Sequence, residues 1–97
     1  MNIKALIEKY KNGPLDSTLA RNIEIKVRIA FMPEELISNK YILLEDESGK
    51  LEAVTTKENI FKILKSSYSK QEELKVKGHL DKTEFGNIGL EIEEILE

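Results

Sequence analysis

A change of period constrains this chain more than any other feature. From Asn22 to Ala30, the apolar Ile23, Ile25, Val27 and Ile29 alternate with Glu24, Lys26 and Arg28. Period two puts the four aliphatic side chains on one face of a strand and the charges on the other. The pattern returns in Tyr41–Asp46, Leu51–Thr56, Glu73–Leu80 and Ile88–Glu93. Five strands, each apolar on one side only, must bury those sides together within 97 residues. That length fits one domain with one core.

Two other stretches follow the helical period. Ile3, Leu6, Ile7 and Tyr10 predict an amphipathic helix over residues 2–11, stopped by Asn12-Gly13-Pro14. Ile60, Phe61, Ile63, Leu64 and Tyr68 predict a second helix over 57–68, which the polar run Ser66–Gln71 ends. Thr55-Thr56-Lys57-Glu58 reads as its capping box, a hydroxyl followed three residues later by a carboxylate. Glu47-Ser48-Gly49-Lys50 is the turn of a hairpin, which Asp46 opens and in which Gly49 accepts a positive φ. Gly78, in the middle of the fourth strand, predicts a bulge where a small sheet bends. Phe31–Lys40 reads as a loop with one helical turn, and Asp81–Asn87 as a second loop.

The order is helix, then β-β-β-α-β-β. Five strands with a helix between the third and fourth are the arrangement of the OB-fold, a five-stranded Greek-key barrel. The expected organisation is an N-terminal helix and cap over residues 1–14 and an OB-fold barrel over 20–97, one domain in all.

Composition narrows the chemistry. Cysteine is absent, which excludes disulfides, thiolate metal sites and cysteine nucleophiles, and a single His79 excludes a His-pair metal site. No phosphate-cradling glycine loop, zinc-protease or serine-hydrolase motif occurs. The expectation is a protein that is not an enzyme and uses no cofactor and no metal. No apolar run is long enough for a membrane helix, and charges at Lys4, Glu8, Lys9 and Lys11 leave no signal-peptide core, so a cytoplasmic location with no membrane partner is expected. Lysine outnumbers arginine 13 to 2 and glutamate outnumbers aspartate 15 to 3, a hint of an archaeal source. The net charge of −3 confines any nucleic-acid site to a local patch.

The stretch Asn39–Val54, with its apolar strand, Asp46, glycine turn and second apolar strand, resembles strands two and three of OB-fold nucleic-acid-binding domains. These include replication protein A-like modules and anticodon-binding domains. Leu74–Leu80 with Leu90–Ile95 is similar to the closing hairpin of that family, in which a glycine sits in mid-strand. The resemblance covers roughly residues 20–96 and implies a ligand face on strands two and three, framed by the loops after strands one and four.

Two functions follow as expectations. The first is binding of single-stranded DNA or RNA, with Lys26, Arg28, Lys75, Lys77 and Lys82 as cations and Tyr41 and Phe85 as stacking rings. The alternative is a non-catalytic accessory subunit that contacts a larger DNA replication or repair protein, a polymerase or single-strand-binding assembly. Its contact residues would be Leu43 and Val54 on the sheet and Ile3, Leu6 and Ile7 on the first helix. On this reading Glu45 faces Glu52, Leu43 faces Val54 and Tyr41 faces Thr56 across the hairpin. The first helix has two options, packing on the barrel or on a partner. His79 reads as an ordinary surface histidine, and the acidic end from Glu91 to Glu97 as solvated.

Overall fold

The computed structural model describes residues 1–11, 21–35, 41–83 and 86–96. Its elements are α1 (Ile3–Tyr10), β1 (Ile23–Phe31), β2 (Ile42–Asp46), β3 (Gly49–Val54), α2 (Glu58–Lys70), β4 (Leu74–Lys82) and β5 (Ile88–Ile95). The strands close into a barrel in the order β1-β2-β3-β5-β4 and back to β1. All neighbours are antiparallel except β3 and β5, which run parallel because α2 and β4 intervene. A closed five-stranded barrel with a helix between its third and fourth strands is compatible with an OB-fold.

Alternation does what the sequence predicts on the inside. Ile25, Val27, Ile29, Ile42, Leu44, Leu51, Ala53, Leu74, Val76, Leu80, Leu90 and Ile92 form one buried cluster, joined by Ile60, Phe61 and Leu64 of α2. Phe31 and Met32 part company at the end of β1. Met32 enters the core, whereas Phe31 is the last strand residue and stays 48% exposed.

The β2–β3 hairpin is shorter-turned than the sequence implies. Asp46 pairs with Gly49, so only Glu47 and Ser48 lie between the strands. The partners are Leu43 with Glu52 and Glu45 with Lys50, which replaces the expected Glu45–Glu52 and Leu43–Val54 pairs. The shift is two residues, so every side chain keeps its face. Gly49 has no positive φ; among the described glycines only Gly86 does. The turn is closed instead by the Asp46 carboxylate, which accepts the Ser48 N–H at 2.7 Å and the Gly49 N–H at 3.2 Å.

The same carboxylate holds α1. Its second oxygen accepts the Ile3 N–H at 2.8 Å, the Ser48 hydroxyl accepts the Lys4 N–H at 3.0 Å, and Asn2 caps the Ala5 N–H at 2.8 Å. Helix N-termini leave such donors unpaired, so three side chains satisfy three of them. Ile3 and Leu6, one turn apart, are both 0% exposed within the barrel core. They are therefore packing residues of this chain, which corrects their assignment to a partner surface. Ile7 is half-buried at the edge of that contact. The cap at Asn12-Gly13-Pro14 lies outside the described residues.

Three further expectations are revised. Lys57 is the N-cap of α2 and no side chain caps it. Thr55, which the sequence offered for that role, is buried and bridges the end of β3 to β5. Its hydroxyl donates to the Ile92 carbonyl at 3.1 Å and accepts the Lys57 N–H at 3.3 Å. The helix also runs through the serines to Lys70, where Gln71 stops it in the left-handed region. The Glu93-Glu94-Ile95 segment belongs to β5, with Glu94 paired to Lys77. Gly78 sits at the predicted bulge; a Cβ there would lie 1.9 Å from the Glu91 carbonyl oxygen.

Candidate ligand face on the second, third and fifth strands

The outward residues of β1 and β4 settle where positive charge is available. Lys26 pairs with Glu73 at 3.3 Å, and Lys75 with Glu24 at 3.7 Å. Lys77 lies opposite Glu24 on one side and Glu94 on the other, and Arg28 lies opposite Glu45. Lys26 and Arg28 share a surface hollow with Glu45, Asp46, Glu47 and Glu73. The expected basic row is thus interleaved with carboxylates on neighbouring strands. His79 continues the pattern: its ring nitrogens lie 2.9 Å from Glu93 and 3.7 Å from Glu91. Hydrogen bonding to His79 holds the Glu93 carboxyl below the usual range against the opposing effect of burial, helped by the charges of His79, Lys57 and Arg21.

The other side of the barrel is different. Two adjoining hollows, both lined by Lys82, open over β2, β3 and β5. The smaller, about 150 Å³, lies between Tyr41, Val54, Asp81, Thr83 and Glu91. It forms where Gly89, with no side chain, lets Thr83 lie close against β5. The larger, about 480 Å³, has Ile7, Leu43 and Ile88 among its walls. Its charged groups are Lys11, Lys50, Lys82 and Glu52. Asn87 donates to the Glu52 carboxylate at 3.4 Å across it.

Of the residues singled out in the sequence, Tyr41, Leu43, Val54 and Lys82 come together on this face. Lys26, Arg28, Lys75 and Lys77 lie on other strands of the barrel, and Ile3 and Leu6 are inside it. Ile7 reaches the face from α1. Phe85 lies outside the described residues. The sequence reasoning missed Lys11 and Lys50, one at the end of a helix and one beside a turn, where strand alternation carries no information.

No protein-family model matches the chain, and no curated protein matches it in sequence. Among the described residues no helix is long and apolar enough to cross a membrane.

Proposed function

We propose that the chain is a small OB-like binding module without catalytic activity, acting as a protein-contacting accessory subunit in DNA replication or repair. The barrel, its inter-strand helix and the resemblance of Asn39–Val54 to OB-fold domains support the module. One observation carries the choice of ligand class. Four of the five lysine and arginine residues that would grip a phosphate backbone, Lys26, Arg28, Lys75 and Lys77, stand beside or opposite glutamates. A nucleic-acid face needs cations free to displace counterions. Interleaved charges over β1 and β4, with half-buried aliphatics in the hollow over β2, β3 and β5, suit a protein-contacting surface.

A second reading keeps single-stranded DNA or RNA as ligand, because Tyr41 and Lys82 line one cleft. The two readings separate in one pair of measurements on the full chain. Titration of labelled oligonucleotides at low and high salt should give no saturable binding at tens of micromolar protein, while affinity capture from native extract should return a larger protein reproducibly. Micromolar oligonucleotide binding that falls steeply with salt, with nothing captured, would replace the first reading with the second.

A further inference from the structure

We infer that the larger hollow is the docking site for an acidic segment of a partner protein that carries an apolar anchor, an inference that rests on the protein-contact reading above. Its walls hold half-buried Ile7, Leu43 and Ile88, apolar surface that the described residues leave partly exposed. Its rim holds exposed Lys11, Lys50 and Lys82. None of the three forms an ion pair with a described residue, although Lys26, Lys62 and Lys75 all do. Among the described residues Glu52 is the one carboxylate lining it, and Asn87 donates to that group. A chain of net charge −3 therefore gathers three lysines around one apolar depression, Lys50 lying opposite Glu45 and Lys11 and Lys82 without a carboxylate partner among the described residues. Charge of one sign around an apolar floor selects an occupant of the opposite sign with a greasy centre.

Two other occupants fit less well. A single strand needs flat ring faces for its bases, and the walls here are mostly aliphatic, Tyr10 being the one ring lining them among the described residues. A second copy could not offer Glu91, Glu93 and Glu94, which are held in β5 beside His79 and Lys77; it would have to use other exposed acids such as Glu34 and Glu35, and would show as concentration-dependent self-association. Exposed lysine–carboxylate pairs are individually weak, so binding rests on three together plus one buried anchor.

The test uses the full chain, labelled for amide NMR. The probes are a short synthetic peptide of glutamates flanking Leu-Phe, its glutamine twin and an oligo-dT strand. The acidic peptide should shift Lys11, Leu43, Lys50, Lys82 and Asn87 saturably, and its twin should bind about tenfold more weakly. Charge reversal by Lys50→Glu with Lys82→Glu should abolish the preference, and Lys26→Glu should leave it intact. Equal binding of the twin, no saturable shift, dominant shifts elsewhere, concentration-dependent self-association through these residues, or displacement of the peptide by oligo-dT would each overturn the inference. A photo-crosslinker at Leu43, compared with one at Phe31, separates the two levels. A partner linked only through position 31 leaves the accessory-subunit reading standing and removes this site. A partner linked at 43 through an acidic segment supports both.

Discussion

At the scale of single residues, Gly78 is the position where a side chain is least affordable. A Cβ would overlap the Glu91 carbonyl oxygen and crowd the Ile92 Cα, both of them backbone atoms of the paired strand. Backbone cannot rotate away as a flexible side chain can, so β4 and β5 would have to separate at the bulge. Gly78→Ala is expected to cost about 3 kcal/mol, the upper end for overpacking. For a domain of this size that lowers Tm by roughly 12–24 °C. Gly86→Ala tests a different cause: its positive φ is strained for alanine, but nothing lies within 4 Å of the added carbon. It should cost only about 1 kcal/mol. Thermal melts of the two variants check the order, and equal losses would show that the close approach at Gly78 is not the determinant. Gly78 was legible in the sequence because a glycine inside an alternating run has few other uses. The role of Thr55 was not. Its hydroxyl serves a strand 37 residues away, and a local capping motif looks the same whichever partner is taken.

At the scale of elements, α1 is held to the barrel by a titratable latch. Burial alone would raise the Asp46 carboxyl, but hydrogen bonds from the Ser48 hydroxyl and from the Ile3, Ser48 and Gly49 N–H groups outweigh it and hold its pKa below the ordinary value. A depressed folded-state pKa means that the latch contributes fully above the unfolded pKa of about 3.9, and is lost as pH falls through the folded value. Glu93 is depressed as well and adds in the same direction. Protection of the α1 amides relative to their intrinsic exchange rates should therefore fall on acidification below pH ~4, before the strands open. Asp46→Asn should show low α1 protection already at neutral pH and little further change on acidification. Unchanged protection in that variant would mean that Ile3 and Leu6 alone hold the helix. The strands themselves were readable because alternation reports which face is buried. Their register was not, since the two-residue shift at the hairpin moves no side chain between faces. The candidate site suffered from that blindness. Lys26 and Lys75 looked like free cations along their own strands, and the glutamates beside them come from other parts of the chain.

At the scale of the whole molecule, charge and core are organised differently. Charge is sorted by side: lysines and glutamates interleave over β1 and β4, and three lysines that form no ion pair with a described residue rim the β2–β3–β5 hollow. Removing the Lys26–Glu73 and Lys75–Glu24 pairs by alanine at both lysines should change stability by only about 1 kcal/mol, because all four groups are well exposed. The core is not sorted. Ile3 and Leu6 of α1 belong to the same buried cluster as the strands and α2. A helix whose side chains complete a shared core is expected to contribute to global stability, even though its amide protection answers to a local latch. Leu6→Ala removes a fully buried leucine and should cost about 2–5 kcal/mol. The loss should appear across the entire barrel, as one cooperative transition lowered in temperature. Circular dichroism for the sheet and exchange of core amides in β1 and β4 should then shift together. If Leu6→Ala instead leaves the barrel transition in place and adds an earlier one confined to α1, the helix is an appendage. The wall that Ile7 and Lys11 give to the hollow would then come and go independently of the barrel.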